Sequence, residues 1–201
     1  MSTQNSANDS VKVWDPLVRI FHWSLVVSFF LAYFTEDDWI DLHVVAGYTV
    51  AGLIGFRIIW GFIGTPYARF TQFVKSPSTV IDYMKRMAKF DVPHYLGHNP
   101  AAAAMVIALL LSIIAVSITG MSIIAAEGQG PLAGTFFATF NAKWMEEIHE
   151  FFANFTLLLV ILHVAGVFFS GMLEGENLPR AMVTGRKKFH QDAVDKIGGA
   201  E

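Results

Sequence analysis

The sequence predicts an all-α protein, built as an integral membrane bundle of four transmembrane helices. Of its 201 residues, 54% are hydrophobic and 15% are charged, whereas a soluble domain has about 25% charged residues. Four apolar stretches are long enough to cross a bilayer, which takes about 20 residues of helix. The predicted spans cover residues 16–34, 41–62, 100–126 and 144–173.

Two of these spans begin with a recognisable start signal. Asp15-Pro16 precedes the first span and Asn99-Pro100 the third, each a capping residue followed by proline at the first helical position. The polar residues 1–13 are predicted to be a flexible cytoplasmic tail, without a cleavable signal peptide because a basic start is lacking. Residues 175–201 are predicted to be a basic cytoplasmic tail.

The long link between the second and third spans contains an amphipathic segment. Ser76-Pro77 can start a helix with cations on one face and apolar residues at Val80, Ile81, Met84, Met87 and Phe90. This pattern suits a helix in the membrane interface, and equally an amphipathic helix packed on the end of the bundle.

Three further histidines lie outside the predicted spans. His94 and His98 belong to the long link, and His190 lies in the basic tail. We interpret His98 as part of the turn that starts the third span, and His190 as a solvated side chain.

The distribution of Lys and Arg predicts the orientation in the membrane. Apart from Arg57 in the second span and Lys143, they lie at the N-terminal side of the first span, in the link between spans two and three, and after the fourth span: Lys12, Arg19, Arg69, Lys75, Lys85, Arg86, Lys89, Arg180, Arg186, Lys187, Lys188 and Lys196. Cytoplasmic loops carry the excess of these residues. Both termini and the long link are therefore predicted to be cytoplasmic.

The fourth span carries two histidines on one face. His149 and His163 are 14 positions apart, which is close to four helical turns and about 21 Å along the axis. Ionisable residues inside a membrane usually face the bundle interior and mark a functional site. We therefore expect both imidazoles to point inward, one near each membrane surface.

Depth sorts four histidines into two pairs, His22 with His163 and His43 with His149. We predict that each pair supplies the two axial ligands of one haem iron, which leaves no open position for oxygen and favours electron transfer. The chain has no cysteine, which excludes covalent c-type haem and cysteine-ligated iron–sulfur clusters. A single histidine in such a helix is often only a hydrogen-bond partner, but four that pair by depth favour haem.

Arg57 lies 14 residues after His43, the same spacing as between His149 and His163. Its side chain should therefore leave the helix on nearly the same face as His43, at the depth of the cytoplasmic haem. A guanidinium can bind a haem propionate with two hydrogen bonds. Arg57 can equally extend its side chain to the nearby membrane surface, and the sequence does not favour either interpretation.

At these residues the sequence resembles the bacterial cytochrome b561 and nickel–iron hydrogenase b-type cytochrome family. The resemblance runs from residue 12 to about residue 189 and rests on several stretches in order: VWDPLVRIFHW, LHVVAGY, FRIIWGFIG, YLGHNPAAAAM, EEIHEFFANFTLLLVILHVAG and ENLPRAMVTGRKK. It implies a four-helix bundle with two b-type haems that pass electrons in the inner membrane, commonly to or from quinone. The family's ligand positions fall on His22, His43, His149 and His163.

The predicted function is that of a di-haem b-type cytochrome in the bacterial inner membrane. It would carry electrons between a quinone pool, its expected substrate, and a periplasmic c-type cytochrome or hydrogenase subunit. Membrane lipid is an expected partner and nucleic acid is not. The alternative is a membrane-anchor subunit of a nickel–iron hydrogenase or similar complex. A metal or solute transporter is less favoured, because the third span carries only small hydroxyls at its middle.

Overall fold

The computed structural model describes residues 10–93 and 95–188, which are mostly helical. His94 and His190 lie outside the described residues. In chain order, the described elements are β1 (Ser10–Lys12), α1 (Pro16–Phe34), α2 (Ile40–Ile63), α3 (Phe70–Phe73), α4 (Pro77–Ala88), α5 (Pro100–Ala126), α6 (Ala142–Glu174), α7 (Leu178–Thr184) and β2 (Arg186–Lys188). Short 3₁₀ turns cover Pro66–Ala68 and Phe136–Thr139.

Four of these helices, α1, α2, α5 and α6, are long and apolar enough to cross a membrane. Only 17% to 22% of the residues in their apolar windows are buried inside the protein. Large apolar side chains such as Ile59 and Leu111, 60% and 63% exposed, therefore face outward. For such side chains, contact with lipid hydrocarbon is more favourable than contact with water. The predicted all-α transmembrane bundle is confirmed. The helices α2 and α6 extend one or two residues beyond the predicted spans.

The described residues form two compact units. Of these residues, the first unit contains 10–19, 60–93, 95–104 and 163–188. The second unit contains Ile20–Ile59 and Met105–Leu162.

In the first unit, the two ends of the described chain pair with each other. The strand β1 runs antiparallel to β2, with Ser10 opposite Lys188. The amides of Val13 and Trp14 both donate to the Gly185 carbonyl oxygen, at 2.9 and 3.1 Å, and Val13 is buried. Residues 10–13 were predicted as part of a flexible tail, and for them this prediction is wrong. Their backbone groups find partners in a segment far along the chain, which no local pattern reveals.

Asp15 ties the start of α1 to the end of α2 and to the turn that follows it. Its carboxylate accepts hydrogen bonds from the Val18 amide at 3.0 Å, the Thr65 hydroxyl at 2.6 Å and the Trp60 indole at 3.3 Å. Burial raises the pKa of Asp15, but these hydrogen bonds outweigh it, so the pKa lies below its ordinary value of 3.8. The predicted cap is therefore also a link between two segments.

A buried ion pair anchors the C-terminal segment to the first unit. Lys187 Nζ lies 3.7 Å from a Glu174 carboxylate oxygen, and both side chains are almost fully buried. Lys187 also donates to the Tyr95 carbonyl oxygen at 3.0 Å. The Asn99 amide donates to the Ser170 hydroxyl at 2.8 Å and to Glu174 at 3.1 Å. Together these bonds satisfy a pair of charges that would be costly to bury alone.

The helix α4 forms where the amphipathic segment was predicted. The Ser76 hydroxyl accepts a hydrogen bond from the Thr79 amide and caps the helix. Tyr83 is buried, and burial together with the negative charge of Glu174 raises its pKa to about 12. A tyrosine is neutral at physiological pH even at its ordinary pKa of 10.0, and this shift makes ionisation of Tyr83 still less favourable.

In the second unit, two hydrogen bonds between side chains link the long helices. Ser112 of α5 and Thr156 of α6 lie 2.6 Å apart, and both are buried. Because Thr156 donates to the Phe152 carbonyl oxygen, its oxygen accepts from Ser112. The Tyr33 hydroxyl of α1 donates to the Asn154 side chain of α6 at 2.7 Å. The three helices are thus joined by polar contacts within an otherwise apolar environment.

Candidate haem-ligand site

His43 lies in the first turn of α2 and is held by α1. It is half-buried, and its Nδ1 lies 2.9 Å from the Ala32 carbonyl oxygen. Because a carbonyl can only accept, this contact requires the proton on Nδ1 and leaves a free lone pair on Nε2. Metal-binding imidazoles are commonly oriented by such a bond from the other ring nitrogen.

His149 of α6 is held in the same way by α5. Its Nδ1 lies 3.0 Å from the Val116 carbonyl oxygen and 3.2 Å from the Thr119 hydroxyl. Thr119 donates its own proton to the Ala115 carbonyl oxygen at 2.7 Å, so its oxygen can accept from the imidazole. A Cβ on Gly120 would lie 2.9 Å from the ring. Only glycine at that position lets the α5 backbone approach His149 so closely.

The structure brings His43 and His149 together within the second unit. Their ring centres are 6.0 Å apart and the ring planes are inclined at 77°. Two metal–nitrogen bonds of about 2.0 Å, added to the distance from each nitrogen to its ring centre, give about 6 Å. The spacing and the two Nε2 lone pairs therefore fit a pair of imidazoles that would hold one iron between them.

The other predicted site residues are placed individually. His22 is half-buried on α1 with its ring against Trp23, and His163 is half-buried on α6. These two histidines belong to different compact units. Arg57 is only 4% exposed and shares an inward stripe of α2 with Val50 and Ile54. The Arg57 side chain is therefore buried within the second unit.

Sequence analysis did not identify the α5 residues that hold His149. Val116 acts through its backbone carbonyl, which leaves no mark on side-chain pattern. Thr119 and Gly120 are small residues in an apolar helix, and such residues also occur wherever membrane helices simply pack. The adjacent Thr-Gly pair facing a helix with a histidine was the one available signal.

These features define a class of protein: a helical membrane bundle in which histidines from two helices approach each other. The family model for prokaryotic cytochrome b561 matches residues 13–185. The chain belongs to the prokaryotic cytochrome b561 family, and the predicted resemblance is confirmed. It is accordingly a membrane b-type cytochrome that takes part in electron transfer, with b-type haem as cofactor. No curated protein and no solved structure gives a significant match.

Proposed function

We propose that this protein is a di-haem cytochrome that carries electrons through the bacterial inner membrane, between a quinone pool and a redox partner protein. The observation that carries this proposal is the approach of His43 and His149 to 6.0 Å, from two different membrane helices. Both imidazoles are oriented by backbone carbonyls through Nδ1. That arrangement supports ligation through Nε2 on both sides of one iron.

The residues around this site define what it can do. Haem supplies an iron that alternates between ferric and ferrous states and so carries one electron at a time. His43 and His149 would hold the iron from both faces, which leaves no coordination position for oxygen or substrate. The Nδ1 hydrogen bonds fix the ring orientation and raise the basicity of the ligand nitrogens. A low-spin electron carrier, rather than an oxygen-binding site, follows from this ligand set.

The second haem is proposed on the helical spacing of the sequence. His163 follows His149 by 14 positions, so both should leave α6 on one face, and His22 is at a matching predicted depth. Arg57 is proposed to bind a propionate of this haem. Its burial supports that role over extension of its side chain to the membrane surface.

Both termini are proposed to be cytoplasmic, supported by the distribution of Lys and Arg along the chain. Reporter fusions after Lys188 should report a cytoplasmic location, and a reporter near Gly130 a periplasmic one. A periplasmic C-terminus would overturn the orientation. The periplasmic partner is proposed to be a c-type cytochrome or a hydrogenase subunit.

Haem content and ligand variants test the two haem sites. The purified protein should contain two haems per chain and show a low-spin spectrum that does not respond to carbon monoxide. His43→Ala and His149→Ala should both remove the same spectral component in a redox titration, and His163→Ala the other. If His149→Ala and His163→Ala both lost the same spectral component, the proposed pairing of the histidines would be wrong.

Rapid mixing with a quinol tests the proposed electron donor or acceptor. In lipid nanodiscs, the quinol should reduce both haems of the wild-type protein, because the proposal connects them to the quinone pool. A protein that retains its haems but exchanges no electrons with quinol or quinone would instead favour the anchor-subunit alternative.

A further inference from the structure

The helix α4 presents two different apolar faces. Tyr83 is 4% exposed, and Val80 and Met87 are half-buried beside it, so this face packs on the protein. Ile81 and Met84, each 52% exposed, form a neighbouring apolar strip that is open to the surroundings. An exposed apolar strip on a helix that also carries cations is typical of a helix in the membrane interface.

Phe90, two residues after the end of α4, is a further exposed apolar residue, and its backbone is in a strained conformation. Phe90 has a φ of 58°, and the Asp91 amide donates to the Arg86 carbonyl oxygen at 3.1 Å across this turn. Glycine usually occupies such a position, because a Cβ is unfavourable there. Phe90 nevertheless holds its ring 73% exposed, with its centre 6.1 Å from that of Phe169 on α6. The helix α6 is long and apolar enough to cross a membrane, so this contact places the Phe90 ring beside the C-terminal part of a membrane helix.

Cations lie beside the exposed strip. Lys75, Lys85 and Lys89 are all exposed. Lys85 is 3.6 Å from Asp82, but both side chains are about 70% exposed, so water screens this pair. Within residues 10–93 and 95–188, neither Lys75 nor Lys89 has a carboxylate at ion-pair distance. These ammonium groups are therefore available to an anionic ligand at the membrane surface.

We propose that α4 and Phe90 form an interfacial anchor that binds acidic phospholipids. Ile81, Met84 and Phe90 lie at the boundary of the acyl chains, and Lys85 and Lys89 bind lipid phosphates. A lipid is favoured over a protein partner because the Phe90 ring continues the outward apolar surface of the spanning helix α6. The proposal depends on the membrane location of the family and is independent of the haem sites.

A single fluorescent label tests whether the strip meets lipid. The chain has no cysteine, so Met84→Cys gives one labelling position in the full-length protein. In nanodiscs that contain phosphatidylcholine and phosphatidylglycerol, nitroxide-labelled lipids should quench a label at position 84. A label at the exposed position Thr79→Cys, about 140° around the helix from Met84 and away from both lysines, should be quenched much less. Equal weak quenching at both positions would overturn the interfacial placement.

Charge variants test the preference for acidic lipid. Nitroxide phosphatidylglycerol should quench the position-84 label more than nitroxide phosphatidylcholine, by up to about fivefold for each lysine involved. Lys85→Gln with Lys89→Gln should abolish this difference, and Lys143→Gln, an exposed cation in the second unit, should preserve it. Equal quenching by the two lipids in the wild type, or an unchanged preference in the double variant, would refute the lipid site.

Phe90→Gly tests how much the Phe90 ring contributes to the proposed anchor. Glycine relieves the strain of a positive φ, so the variant should fold at least as stably as the wild type. It should reduce quenching by lipids labelled within the acyl chain. Unchanged quenching would remove Phe90 from the proposed anchor.

Discussion

Replacing Gly120 by alanine tests how His149 is held against α5. The new methyl carbon would lie 2.9 Å from Cε1 and 3.2 Å from Nδ1 of the imidazole. Relaxed contacts between carbon atoms are about 3.5 Å or longer, so the ring must move by about half an ångström. A shift away from α5 would lengthen the 3.0 Å bond to the Val116 carbonyl oxygen beyond the usual limit.

The energetic cost can be estimated from this displacement. Overpacking of a filled site typically costs about 1–3 kcal/mol. At about 1.4 kcal/mol per tenfold change, haem retention at the His43 and His149 site should fall by roughly 5- to 150-fold. The haem proposed at His22 and His163 should keep its wild-type retention, because the three atoms nearest to the added Cβ all belong to His149.

Haem transfer to an excess of apomyoglobin, followed by its absorbance, measures retention at each site. Gly52→Ala is the matched control: it lies nine residues after His43, on the opposite face of α2, and its added Cβ meets no atom within 4 Å. This control changes helix propensity in the same way and should retain both haems. If Gly120→Ala releases haem no faster than Gly52→Ala and leaves both potentials unchanged, the role assigned to α5 is wrong.

Three further variants test other parts of the structure. Arg57→Gln should lower the midpoint potential of one haem only, by on the order of 1 kcal/mol or roughly 40 mV, because a lost positive charge disfavours the reduced state; unchanged potentials in a redox titration would leave Arg57 as a surface anchor. Asp15→Ala should destabilise the protein by about 1–2 kcal/mol near neutral pH in thermal unfolding. Because the folded pKa of Asp15 is lowered, this difference should shrink as the pH falls through 3.8 towards the folded value, and a constant difference would contradict it. A double-mutant cycle of Ser112→Ala and Thr156→Val should give a coupling of about 0.6 kcal/mol, and a coupling near zero would show that their bond adds no stability.

The four membrane helices could be predicted because their signals are local. An apolar run of sufficient length and a capping residue before proline, as at Asp15 and Asn99, need no knowledge of the rest of the chain. The strand pairing of residues 10–12 could not be predicted, since its partner lies at residues 186–188. Short segments without periodicity become strands only when tertiary contacts bring their backbones together.

The candidate site was predictable only in part, for a related physical reason. Histidine is rare and costly in a membrane helix, so His43 and His149 stand out, and helical rise gives their depth. The partners that orient them are the carbonyl oxygens of Ala32 and Val116. Every residue has such an oxygen, so sequence cannot indicate which one an imidazole will meet.

The pairing of β1 with β2 has a consequence for synthesis of the chain in the cell. The strand β1 leaves the ribosome before the four spans, whereas its partner β2 follows them. Gly185 adopts a φ of 81°, and a Cβ there would lie 2.7 Å from the Trp14 carbonyl oxygen, so the two ends join at a position that only glycine fits. A chain that stops after the fourth span leaves the Val13 amide without its Gly185 acceptor and β1 with an open edge, which is a target for proteases. Residues 185–188 therefore pair with residues 10–14 only late in synthesis, and this pairing marks a chain that has been translated through to residue 188.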